Sequence, residues 1–121
     1  TIDFLVSLSG QVKQPLWYST EHSPIKSIAI RICYVPDRLI LEETSLPIYL
    51  DGIRTEKFSN KEQAGITLLN DLNNELVPRW LRVTLTSMNE IHGYPHTYEV
   101  CFQDSQPNWN NSKLLSGYQQ G

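Results

Sequence analysis

The chain has few of the residues that build metal centres, disulfide frameworks or nucleic-acid surfaces. Its 121 residues include two cysteines, Cys33 and Cys101, three histidines and one methionine. The cysteines form no CxxC pair and no metal-type cluster. That excludes a disulfide scaffold and makes a reducing cytoplasm the expected compartment. His92 and His96 are four apart, but Gly93 and Pro95 put them in a hairpin rather than on a helix, and His22 is a lone turn residue. A zinc site is therefore not expected. Lys and Arg number 10 against 13 Asp and Glu, a formal net charge of −3. Without a basic patch, nucleic acid is not an expected partner. No apolar run approaches the roughly 18 residues of a membrane span, so no membrane partner is expected. There is no internal repeat.

What is present suits one globular domain, with 40% apolar and 19% charged residues. A first strand is expected near Val12–Ser19, followed by a turn at Glu21–Pro24. Ser27–Val35 alternates, with Ile28, Ile30 and Ile32 opposite Ala29, Arg31 and Cys33. Leu39–Glu42 reads as its continuation. Ser45–Arg54 reads as a short helix capped by Ser45, with Pro47 tolerated in the first turn. Ser59 and Glu62 read as a capping box opening a second helix to about Leu76, with Ile66, Leu69, Leu72 and Leu76 as its apolar stripe. Trp80–Met88 and His96–Phe102 alternate again. Residues 103–121 are rich in Gln, Asn, Ser and Gly and are expected to form an extended or disordered arm, with Trp109 docking on a neighbour. Trp17 and Trp80 read as core or interface residues.

Strand, strand, helix, helix, strand, strand implies an α+β domain over residues 1–102. Its four-stranded antiparallel sheet would carry both helices on one face. The other face would hold Arg31, Cys33, Arg82, Thr84, Glu99 and Cys101, a mixed polar surface. It suits the wet interior of a closed oligomer or a face open to water.

The stretch from Tyr34 to Arg54 concentrates the chemistry. A strand exits into Glu42 and Glu43, and a helix follows at once. An acid held there can accept two N–H bonds from a purine or pterin edge. The plain alternative is that both glutamates simply favour a helix N-terminus.

Residues 42–49, Glu-Glu-Thr-Ser-Leu-Pro-Ile-Tyr, also resemble the core motif of the 7-cyano-7-deazaguanine reductases, the nitrile reductases of queuosine biosynthesis, which have the tunnelling fold. That motif reads Glu, Ser or Leu, Lys, Ser or Ala, any residue, Lys, Leu or Tyr, aromatic. Glu42, Ser45 and Tyr49 match it. Glu43 replaces a small residue, and Thr44 and Pro47 replace both lysines. Tyr34-Val35-Pro36-Asp37, Asn70-Asp71-Leu72 and Pro78-Arg79-Trp80 resemble further family landmarks, so the likeness runs from about residue 17 to 102.

The resemblance implies a purine-like or 7-deazapurine ligand with Glu42 as its anchoring acid and Glu43 and Ser45 beside it. Glu62 stands near the family's Phe-His-Glu position; its capping role comes first, and a ligand-side role stays open. Catalytic members carry a nucleophilic cysteine and an acidic aspartate in a segment like Cys-Pro-x-Thr-Gly-Gln-Pro-Asp. Ser19–Lys26 stands there without either. No catalytic residue is therefore assigned. No cofactor is expected, because the loss of both lysines removes the basis for binding NADPH. This pattern resembles the cysteine-less N-terminal half of two-module members. The expected partners are further copies of the chain in a closed ring and a cysteine-bearing homologous chain. Two alternatives remain: an enzyme of altered chemistry using Glu42 as acid or base, and a structural oligomer without a small-molecule site.

Overall fold

The computed structural model describes residues 2–17 and 27–119. The elements are β1 (Val6–Lys13), β2 (Ser27–Val35), α1 (Ser45–Arg54), α2 (Lys61–Leu76), β3 (Trp80–Ile91), β4 (Tyr94–Ser105) and α3 (Ser112–Gln119). The strands form one antiparallel sheet in the order β1-β2-β3-β4. Ile28, Ile30, Ile32 and Tyr34 of β2 and Leu81, Val83 and Leu85 of β3 are buried and share a core with α1 and α2. Alternation in the sequence thus sets the sheet's helix-covered face. No described helix is long and apolar enough to cross a membrane.

β1 lies earlier than the expected Val12–Ser19, whose end falls outside the described residues. Val6, Leu8 and Val12 point to the core, but Gly10 interrupts the apolar pattern and hides the strand. Its glycine has a packing reason: a Cβ at Gly10 would stand 2.6 Å from Leu50 Cδ1, so α1 lies directly on β1. Gln14, at φ 46°, and Pro15 end the strand. Trp17 then turns inward, donating its indole N–H to the Ile53 carbonyl at 3.0 Å and meeting Phe58 edge-on. The turn at Glu21–Pro24 and the segment Ser19–Lys26 also lie outside the described residues.

Leu39–Glu42 does not continue β2. Val35 is opposite Trp80, the first residue of β3, and Tyr34 is opposite Val6, the first residue of β1. Beyond Val35 no strand among the described residues lies on either side to receive a ladder, so the chain loops. Tyr34 supports that loop by accepting the Leu41 N–H on its hydroxyl at 2.8 Å.

The helix starts differ from the expected caps. Thr44, not Ser45, is the cap residue of α1, and it makes no side-chain cap bond. Instead the Ser45 and Leu46 N–H groups donate to the Glu42 and Glu43 carbonyls at 3.0 and 3.4 Å. At α2 the capping pattern slides by one residue. Asn60 accepts the Gln63 N–H at 2.8 Å, and the Gln63 side chain accepts the Ser59 N–H. The buried stripe of α2 is Ala64, Gly65, Leu68, Leu72 and Leu76, leaving Ile66 exposed and Leu69 half-buried. A Cβ at Gly65 would overlap the Phe102 ring, so this glycine lets α2 cross β4.

Of the expected arm over residues 103–121, the described part, residues 103–119, is not loose. β4 takes in residues up to Ser105, and α3 folds back across the sheet face opposite α1 and α2. Leu114, Leu115, Tyr118 and Trp109 pack there on Cys33, Val35 and Trp80, with Leu5. The apolar residues lie at helical spacing within polar surroundings, a pattern that composition alone conceals. Trp109 docks within its own chain, its indole N–H donating to Asp3 at 3.2 Å. Asn111 also donates to Asp3, and Arg79 bridges Asp3 at 2.6 Å and Asp37 at 3.3 Å. These bonds fix the N-terminal segment, the β2–α1 loop and the approach to α3 together.

Candidate functional site

The loop after β2, the first turns of α1 and the last turns of α2 border a half-open cavity of about 570 Å³. That volume is in the range of small-molecule sites. Its apolar floor is formed by Leu41, Leu46, Leu72 and Leu76. Polar groups stand around it: Glu42, Ser45 and Tyr49 from one side, Asp71, Asn74 and Glu75 from the other. Ser45 and Tyr49 are four apart on α1, while Asp71, Asn74 and Glu75 have i, i+3, i+4 spacing on α2, so each set shares a helix face.

Tyr49 donates its hydroxyl proton to Asp71 Oδ2 at 2.7 Å. Burial, together with the Asp71 carboxylate, raises the phenol well above its ordinary value, so the hydroxyl remains a donor. One Asp71 oxygen is engaged in this way, and the carboxylate still has acceptor capacity. Three carboxylates line the cavity, and no lysine, arginine, histidine or cysteine does so among the described residues. Such a lining offers acceptors for N–H donors and an apolar surface on which a flat ring can lie. It repels phosphate and offers no thiol or imidazole nucleophile.

The site residues expected from the sequence divide between places. Glu42 and Ser45 line the cavity. Glu43 is exposed and does not line it. Glu62 lies nine residues before Asp71 on α2, about 13 Å along the helix axis. There it accepts the Tyr98 hydroxyl at 2.8 Å, a bond that lowers its pKa from the ordinary carboxylate value. Glu62 thus neither caps α2 nor reaches this cavity. Asp71, Asn74 and Glu75 join the site without having been expected in it, although their one-face spacing on a helix is a usable signal.

A four-stranded antiparallel sheet carrying α1 and α2 on one face defines a tunnelling-fold domain, and the cavity sits where the strand-to-helix loop meets both helices. The chain belongs to the QueF-like protein family, whose model matches residues 28–92, just over half of the chain. A curated relative from Syntrophus aciditrophicus, named NADPH-dependent 7-cyano-7-deazaguanine reductase, is 38% identical over 55 residues, covering 46% of this chain and 39% of the relative. A relative of the same name from Thermomicrobium roseum is 41% identical over 68 residues, covering 56% of this chain and 51% of the relative. The chain thus spans about half, or less, of the curated relatives it matches. The crystal structure of an apo archaeosine synthase QueF-Like protein superposes with a TM-score of 0.64 at 18% identity, covering 83% of this chain and 92% of the other. At that identity the likeness establishes the shared fold.

Proposed function

We propose that this chain binds the N–H-bearing edge of a purine-like or 7-deazapurine base in the α1–α2 cavity and does not reduce it unaided. The observation that carries this reading is the cavity lining: Glu42, Asp71 and Glu75 surround a leucine floor with no cation among them. A guanine-type edge supplies adjacent N–H donors that a carboxylate accepts as a pair, while its ring lies on the leucines. Carboxylates oppose a phosphate, so the reading selects a free base over a nucleotide.

Reduction of a nitrile through a thioimidate needs a thiolate at the bound ligand. Cys33 is buried beneath α3 and Cys101 lies on β4, on the sheet face opposite α1 and α2. Both therefore stand apart from the cavity. In this reading the chain complements a cysteine-bearing homologous partner and needs no cofactor of its own. β1 and β4 are the sheet edges, and pairing them between copies closes a ring that leaves no edge exposed.

Calorimetric titration with 7-cyano-7-deazaguanine, 7-deazaguanine and guanosine monophosphate tests the reading, alongside NADPH oxidation by the isolated chain. The bases are expected to bind, the monophosphate to bind far more weakly, and NADPH to remain unoxidised. Monophosphate binding as tight as that of the bases, or cyanopurine-dependent NADPH oxidation abolished by thiol alkylation, would overturn it.

A further inference from the structure

On the sheet face that α3 shares, Arg31 of β2 and Arg82 of β3 are diagonal neighbours, because Arg31 is opposite Thr84 and Cys33 is opposite Arg82. Their guanidinium carbons lie 4.9 and 5.5 Å from the centre of the same ring, Tyr118. Among the described residues, neither forms an ion pair. Arg31 Nε donates to Ser7 Oγ at 3.3 Å, and Arg82 donates Nε and Nη2 to Gln103 Oε1 at 3.2 and 2.7 Å. Arg82 also lies 5.2 Å from the centre of the Trp80 ring, so two like charges are held side by side by neutral oxygens and the faces of Tyr118 and Trp80. With Thr84 and Thr86 they line a cleft of about 360 Å³.

A cation–π contact that merely fastened α3 would need one guanidinium; a second beside it adds repulsion. An anion reverses the sign of that term. We propose that this cleft binds a phosphate group, free or esterified, between Arg31 and Arg82. The fork of each guanidinium matches the oxygens of phosphate, and two positive charges match a dianion better than a single carboxylate. Glu99 also lines the cleft, where Thr86 donates to it at 3.4 Å. It disfavours an anion beside Thr86, so the phosphate sits between the guanidinium forks, away from Glu99. A second cleft of about 510 Å³ shares Arg31 and Thr86 and gives room for the body of a phosphate ester. This site lies across the sheet from the α1–α2 cavity, and its test is independent of that reading.

The test is nitrogen–proton NMR of the arginine Nε–H groups during titration with inorganic phosphate, ribose 5-phosphate and acetate. Saturable shifts of Arg31 and Arg82 with phosphate in the millimolar range are expected, with acetate at least about tenfold weaker. Tighter binding of ribose 5-phosphate assigns an ester; equal affinity assigns free phosphate. Arg31→Gln and Arg82→Gln are each expected to weaken phosphate binding by about tenfold or more, and Arg82→Lys by less. Protection of Cys33 from alkylation reports whether α3 stays docked in each variant. Shifts of the wild type that stay linear with phosphate would overturn the proposal, as would acetate binding of equal strength. Undiminished affinity in Arg31→Gln and Arg82→Gln would do the same.

Discussion

Tyr49 and Asp71 meet hydroxyl to carboxylate at 2.7 Å, joining α1 to α2 beside the cavity. The bond holds one wall against the other and orients the Asp71 carboxylate. Tyr49→Phe keeps the ring and removes the bond. Loss of about 1 kcal/mol of stability is expected, with base affinity falling several-fold because the wall loosens. Thermal unfolding and calorimetry on the same samples measure both; an unchanged melting temperature with unchanged affinity would count against a structural role for this bond.

Two helical glycines give opposite expectations. Gly65 faces the Phe102 ring, so Gly65→Ala forces α2 away from β4 and should cost about 1–3 kcal/mol despite alanine's better helix propensity. On α1, a methyl group at Gly52 would meet no atom within 4 Å, so Gly52→Ala should add roughly 0.5–1 kcal/mol. Urea midpoints of the two variants should therefore move in opposite directions.

Cysteine labelling reports the docking of α3. Cys101 is exposed, whereas Cys33 lies under α3, and burial is the largest factor raising its thiol pKa. One thiol should alkylate fast and the other slowly. Leu114→Asp places a charge in the apolar contact of α3 and should speed Cys33 labelling by about tenfold or more through local opening. Equal rates for both thiols in the native protein would mean that α3 does not stay on the sheet.

The much-shared Asp3 carboxylate gives a pH dependence. Its pKa is lowered, first by the Asn111 hydrogen bond and next by Arg79. A lowered folded value means the stabilisation is fully present above the unfolded value of ~3.9. It disappears as the pH falls through the folded value. Asp3→Asn should therefore melt below wild type near neutrality, and the gap should close in acid. Melting curves across the acid range test this; a gap that widened on acidification would contradict the assignment.

The alternation of Ile28, Ile30 and Ile32 and of Leu81, Val83 and Leu85 makes the central strands legible in the sequence, because a half-buried strand must repeat every two residues. β1 is hard to place because Gly10, required by Leu50, occupies a core-facing position. α3 escapes a local reading because its few apolar residues gain meaning only against Trp80 and Cys33, which lie far away in the chain. Glu42 and Ser45 are legible because the strand-to-helix junction is local. Asp71 and Glu75 belong to the site only through the packing of α2 on α1, which no local pattern states.

The central claim rests on Glu42 accepting N–H groups from a base. Glu42→Gln retains the shape and turns one acceptor oxygen into a donor. Charge-assisted bonds of this kind contribute roughly 1.5–3 kcal/mol, so affinity should fall by about tenfold or more. Glu43→Gln, outside the cavity lining, should change it little. The measurement is calorimetric titration of wild type, Glu42→Gln and Glu43→Gln with 7-cyano-7-deazaguanine. A loss confined to Glu42→Gln is the predicted result; equally tight binding by wild type and Glu42→Gln would contradict the claim.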